Sequence, residues 1–275
     1  MAKNPFFNMT DGRWAEGKRV CVGLDSVFNK LPVRFRDAGA ADGILAFNRS
    51  IIQQTHSQAL CYKLNLGAYL QSGHQGIKAL EETCAYLWAN HPNIPYAIDQ
   101  KTGDIGTTND WYADFAFGIC RAHAITLHNY MGQEAMQSLL DRKDKAFFIL
   151  CKTSNKGSNE FQGPENLHTS RYIYEFVARQ VKDYWNKHGN CGLVVGATYP
   201  EEMKKIRAMA PELPFLVPGI GTQGGDVDAT INNGITEAGG GLIINNGSAI
   251  IFAPNPAFEL DSATKQIDRA IRAKK

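Results

Sequence analysis

Short apolar, β-branched runs recur along this chain, and after each one the apolar residues switch to a spacing of three or four. The runs fall at 20–24, 60–64, 94–98, 124–128, 146–151, 192–196, 214–217 and 241–245. Helical periodicity occupies 42–58, 76–90, 109–121, 134–141, 167–187, 200–210, 226–238 and 256–273. A strand buried on both faces gives an unbroken apolar run, whereas an amphipathic helix repeats every 3.6 residues, so the alternation predicts β/α units around a parallel sheet. Eight such units with no linker or low-complexity stretch predict a (β/α)8 TIM barrel forming one domain over residues 1–275. Counting strands does not by itself prove closure, and an open doubly wound sheet stays as the alternative.

Composition narrows this picture. The 275 residues are 44% hydrophobic and 20% charged, enough for one large core, and the formal net charge is only +2. Basic residues are scattered, with Lys204-Lys205 and Lys274-Lys275 the only short clusters, so a nucleic-acid footprint is not expected. Six cysteines at 21, 61, 84, 120, 151 and 191 never form Cys-x-x-Cys and lie mostly in apolar segments, as reduced packing residues do. With no signal-like N-terminus and no window approaching the ~18 apolar residues of a membrane span, a soluble cytoplasmic protein is expected.

Chemistry concentrates where the predicted strands end, which in a barrel is one shared mouth. After the run at 94–98 the chain reads Asp99-Gln-Lys101-Thr-Gly-Asp104, placing two acids and an amine within six residues. Strand residues two apart face the same way, so Asp99 and Lys101 share a compartment. An Asp-x-Lys pair is equally compatible with a strand-end ion pair that does no chemistry. Lys63 is harder to read so blandly, because it sits inside the apolar strand at 60–64, where an ammonium needs a specific partner. Near strand seven, residues 219–225 hold four glycines before a predicted helix, and strand eight ends in Asn246-Gly247-Ser248. Backbone amides freed by such loops cradle phosphate in many barrels, although a turn needing positive φ explains one glycine-rich loop about as well.

Six segments in order carry a family likeness: 21–26 (CVGLDS), 62–66 (YKLNL), 99–108, 150–155 (LCKTSN), 193–200 (LVVGATYP) and 217–226. Through them the chain resembles the orotidine 5'-monophosphate decarboxylases, in their longer bacterial branch. The resemblance implies a cofactor-free, metal-free decarboxylation of a pyrimidine nucleotide, giving UMP and carbon dioxide in pyrimidine biosynthesis. Lys101 would protonate the C6 carbanion, Asp99 would hold Lys101 beside the departing carboxylate, and Lys63 would tie the alternating charges together. Asp104 would reach the neighbouring subunit's site, implying a homodimer with shared active sites. Asp25 and Thr108 would contact ribose hydroxyls, Ser154 the pyrimidine ring, and Gln223, Gly224, Gly225 and Gly247 the phosphate.

Ser248 departs from the family pattern, which usually has a phosphate-gripping arginine there. A hydroxyl donates one hydrogen bond but cannot replace a bidentate guanidinium, whose charge-assisted contacts are worth about 1.5–3 kcal/mol. Lesser departures are His128-Asn129, where the branch more often has Asn-Pro, and Thr102, often Arg. Two other readings accommodate these differences: a catalytically silent nucleotide-binding paralogue, and a phosphosugar decarboxylase on the same scaffold. Segment 156–168 has no clear periodicity, and its glycines and proline favour a loop.

Overall fold

The structure is a computed structural model that describes residues 4–166, 171–220 and 224–274. Its first strands are β1 (Val20–Gly23), β2 (Cys61–Asn65), β3 (Tyr96–Thr102), β4 (Ala124–Leu127) and β5 (Ala146–Lys152). The two-residue β6 (Glu165–Asn166) and β7 (Arg171–Tyr172) pair off as a separate antiparallel ribbon, and β8 (Cys191–Val195), β9 (Phe215–Val217) and β10 (Leu242–Asn246) follow. The eight longer strands are all parallel and close on themselves, β10 pairing back onto β1 with Val20 opposite Ile244. The predicted eight-stranded barrel is therefore present, and the open-sheet alternative is excluded.

Around it run α1 (Pro5–Ala15), α2 (Gly39–Thr55), α3 (Leu66–Leu70), α4 (Gly73–Asn90), α5 (Thr107–Ala113) and α6 (Gly132–Leu140). The second half carries α7 (Ser158–Phe161), α8 (Ile173–Gln180), α9 (Pro200–Met209), α10 (Val227–Gly234), α11 (Ser248–Ile251) and α12 (Pro256–Lys274). Strand side chains alternate between two cores. Outward residues such as Val22, Tyr62, Ile98 and Ile125 meet the helices, while inward ones such as Cys21, Cys61, Ala97 and Phe148 fill the barrel.

Several boundaries differ from the sequence expectation, each for a local reason. The helix expected over 167–187 begins only at Ile173, since Arg171–Tyr172 belongs to the ribbon, and residues 167–170 lie outside the described residues. It continues past α8 as a π-helical stretch, Val181–Trp185, and α5 likewise continues through Asp114–Ile119. The helix expected over 226–238 stops at Gly234, after Asn232-Asn233, residues that favour turns over helix interiors.

Helix α1 escaped the sequence reading because only Phe6, Phe7 and Thr10 on it are buried, too few to set a period. Asn4 caps it by accepting the Phe6 amide at 3.0 Å and Pro5 opens it, a favourable pairing at a helix start. The strands' N-terminal ends carry small inward residues, Cys21, Cys61, Ala97, Ala124 and Ala146, which leave space inside the barrel. Phe6 and Phe7 fill it, packing edge-on to Phe148 at 5.7 and 5.8 Å between ring centroids. Asn4 donates to the carbonyls of Lys143 and Lys145, and Arg13 to those of His56 and Ala59, fastening the helix across that face. Truncating this plug at Phe6→Ala should cost about 3–5 kcal/mol in urea unfolding, the usual penalty for a fully buried aromatic ring. The opposite, C-terminal mouth should keep its activity per folded molecule.

Candidate active site

Strand β3 delivers the charges because its alternation continues to the rim: Ala97 faces the barrel interior, Asp99 follows on the same side, and Lys101 stands above it. Beyond Ile98 the β3–β4 register slips, so that Ile98 pairs with Ile125 but Thr102 with Leu127, two extra residues on β3 forming a bulge. Within it Lys101 adopts φ +48°, a left-handed conformation unusual for a residue with a side chain. Its amide donates to Thr126 Oγ1 at 2.9 Å, and its ammonium turns back onto Asp99 Oδ1 at 2.6 Å.

Asp99 is the centre of the cluster. Lys63 Nζ donates to Asp99 Oδ2 at 3.0 Å and lies 3.4 Å from Asp25 Oδ1, while Thr126 Oγ1 donates to Asp99 Oδ1 at 2.8 Å. Lys63 is 3% exposed and Asp99 8%, whereas the Lys101 side chain is 46% exposed, so one ammonium is locked in the wall and the other reaches the opening. Burial would raise the Asp99 carboxyl, but Lys63 and Lys101 together outweigh it and hold the group well below the usual carboxylate range. Burial works against the Lys63 ammonium in the same way, and the facing carboxylates of Asp99 and Asp25 reverse it, raising Lys63 above the ordinary lysine value.

These groups border a cavity of about 400 Å³ at the C-terminal mouth. Asp25, Lys63, Asn65, Asp99, Lys101 and Thr126 form one arc, Thr153, Ser154 and Asn155 the next, and Pro218, Gly219, Ile220, Asn245, Gly247 and Ser248 complete the ring. Gly247 sits where strands β1 and β10 nearly touch: a Cβ on it would come within 3.2 Å of the Gly23 carbonyl oxygen. Of the residues singled out from sequence, Asp25, Lys63, Asp99, Lys101, Ser154, Gly247 and Ser248 therefore converge.

Others do not. Asp104 and Thr108 lie outside this cavity; Asp104 Oδ1 accepts the Ile105 amide at 2.7 Å and bonds to no member of the charged cluster. Gly224 and Gly225 border an adjoining recess of about 270 Å³ that shares Ile220 with the main cavity, and Gln223 falls outside the described residues. Thr126 was missed, although it is the one polar residue in the apolar run of β4 and could have been found from that alone. Among the described residues, no group of three or more His, Cys, Asp or Glu side chains is placed to hold a metal ion, and no helix is long and apolar enough to cross a membrane.

Comparison with known proteins adds independent findings. Residues 18–263 match the profile of the orotidine 5'-phosphate decarboxylase / HUMPS family. The chain is 42% identical over 252 residues to an orotidine 5'-phosphate decarboxylase of Halorubrum lacusprofundi, covering 90% of this chain and 87% of that protein. To its counterpart in Azoarcus sp. strain BH72 it is 41% identical over 238 residues, 85% of this chain and 84% of the other. Among solved structures, the OMP decarboxylase of Leishmania donovani superposes with a TM-score of 0.86 at 38% identity, covering 97% of this chain and 98% of that one.

Removing the Asp99 charge tests the cluster's energetics. Asp99→Asn leaves Lys63 buried with only Asp25 for an acid partner, and should cost about 3–5 kcal/mol in denaturant unfolding, with Asp99→Asn/Lys63→Met recovering part of that. The signs of the pH dependence follow from the two shifts. The Asp99 contribution is complete above the unfolded carboxylate value of about 4 and fades as pH falls below it. The Lys63 contribution is complete below about 10.4, the unfolded lysine value, and fades as pH rises past it. Urea titrations across pH should accordingly show an acid limb that Asp99→Asn flattens.

Proposed function

The chain belongs to the orotidine 5'-phosphate decarboxylase / HUMPS family, and from that premise we propose how its mouth cavity performs the reaction. It acts as an orotidine 5'-phosphate decarboxylase, converting the nucleotide to UMP and carbon dioxide. The observation that carries our assignment of roles is the 2.6 Å contact between Lys101 Nζ and Asp99 Oδ1 at the cavity wall, on an ammonium that remains 46% exposed.

The bond between C6 and the carboxylate breaks, its electron pair stays on C6, carbon dioxide leaves, and Lys101 gives a proton to C6. Lys101 is then reprotonated from solvent, to which it is open. Loss of carbon dioxide to such a carbanion is among the slowest uncatalysed reactions, so the site must supply stabilisation approaching ~20 kcal/mol. No single contact does that. Lys63, Asp99 and Lys101 are fixed before substrate arrives, so little reorganisation accompanies the developing charge. Asp25 serves a ribose hydroxyl and Ser154 the pyrimidine ring, and no cofactor or metal takes part.

The phosphate lies toward Gly219, Gly247 and Ser248, with Gln223, Gly224 and Gly225 closing over it. The whole stretch 1–275 works as one catalytic domain. Asp104 and Thr108, which do not line the cavity of their own chain, complete the site of a second copy. Exposed apolar side chains, Ile105 next to Asp104, Tyr130 and Met131 on the β4–α6 loop and Phe161 against Tyr130 on α7, suit burial in a homodimer.

Three measurements test these assignments. Lys101→Ala should lower kcat by roughly 10³-fold or more with an unchanged circular-dichroism spectrum, the scale of losing a positioned acid; an unaltered rate removes the mechanism. Ser248→Arg should raise kcat/KM about tenfold to a hundredfold by adding a charge-assisted phosphate contact. Both are read from the ultraviolet absorbance of orotidine 5'-monophosphate, and an unchanging absorbance with the unaltered chain would leave only a nucleotide-binding protein. Mixing inactive Asp104→Ala with inactive Lys101→Ala should restore turnover if sites are shared between subunits, and should restore none if each site is complete alone.

A further inference from the structure

Lys152 is the last residue of β5, fully buried, and plays no part in the charged cluster. Among the described residues no carboxylate lies within ion-pair distance of it, and Glu202 acts on it only from farther away. Its ammonium instead donates to Ser158 Oγ at 2.9 Å and Asn159 Oδ1 at 2.5 Å, both on α7, and lies 4.2 Å from the ring centre of Tyr199. A buried ammonium satisfied only by neutral oxygens and an aromatic face is costly to desolvate, so its retention calls for a reason beyond packing.

That reason lies in what its partners hold. Tyr199 donates its hydroxyl to the Asn155 carbonyl at 3.1 Å, and Thr198 donates to the Ser154 carbonyl at 2.9 Å. From α7's C-terminal end, Gln162 accepts the Thr153 amide at 2.8 Å. The Lys152 carbonyl accepts the Gly196 amide at 2.7 Å, just past the point where the β5–β8 register slips. The turn Thr153–Ser154–Asn155, which walls the cavity, is thus gripped from α7 on one side and from the β8–α9 loop on the other. Lys152 is the side chain that joins those two grips.

We infer that Lys152 is a positioning residue for pyrimidine binding: by pinning α7 and Tyr199 together it fixes the Ser154 turn against the substrate ring. This rests on the decarboxylase reading and extends it to a residue that touches no substrate. Its loss should weaken binding of substrate and transition state alike, which raises KM and spares kcat. A lysine needed only for stability behaves otherwise, lowering the melting temperature and the yield of active protein but leaving the KM of the surviving molecules unchanged.

Steady-state kinetics on Lys152→Met, which keeps most of the buried volume, should show KM raised about tenfold with kcat within about twofold. The double variant Ser158→Ala/Asn159→Ala removes the acceptors while leaving the lysine, and gives the same reading should the methionine variant fail to fold. Tyr199→Phe, which keeps the ring and deletes the hydroxyl, should reproduce part of the KM increase. Unchanged KM in the variants that fold, or a fall in kcat alone, overturns the inference. Should the unaltered chain show no turnover, the decarboxylase reading fails separately and calorimetry with UMP replaces KM: weaker binding by the variants sustains the positioning role, and equal binding ends it.

Discussion

One carboxylate organises this protein's mouth. Asp99 accepts hydrogen bonds from Lys63, Lys101 and Thr126, and it can do so only because three adjacent strands bring those side chains to one height in the barrel. Burial disfavours the Asp99 charge and the ammonium groups of Lys63 and Lys101 outweigh it; burial disfavours the Lys63 charge in turn, and Asp99 with Asp25 outweighs that. Asp99 and Lys63 each favour the other's charged form. The barrel's closure, its filled lower end and the bulge in β3 all serve to keep these atoms within a few ångströms of one another.

Division of labour along the barrel axis follows from the same geometry. At the strands' N-terminal ends small residues and two phenylalanines make a dry, filled plug, with α1 tied across it by Asn4 and Arg13. At the C-terminal ends polar side chains replace them and water can enter. A parallel barrel allows this split because every strand contributes its first residues to one end and its last to the other. The dry packing and the polar cluster therefore occupy different layers, and β3 and β5, the two strands whose registers slip near the rim, run through both.

Much of the fold was legible because eight apolar runs alternate with helical periods, and Asp99, Lys101 and Lys63 stood out as charges in or beside those runs. Boundaries were less visible. The alternation in β3 looked finished at Ile98, yet the strand extends to Thr102, because a bulge preserves pairing after the apolar residues end. Helix α1 left almost no periodic trace, since it buries one end of a helix and not a stripe along it. Thr126 was visible as the one polar residue of β4, but its bonds to Asp99 and the Lys101 amide on β3 are a relation between strands that no single segment displays. Lys152 could be seen as a lysine at a strand end, but its partners lie on α7 and on the β8–α9 loop, which meet beside the register slip of β5 and β8.

Lys101's backbone carries a cost of its own. A left-handed φ at a lysine is unfavourable by about 1–2 kcal/mol, and glycine or asparagine would occupy that bend with less strain. The residue best suited to the bend therefore has no ammonium, and the residue with the ammonium fits the bend poorly. Robustness alone would favour a smaller side chain at this position, so the lysine is held here at a cost in backbone strain. Improving thermal endurance by relaxing the β3 bulge would move the one ammonium of the cluster that stands open at the cavity mouth.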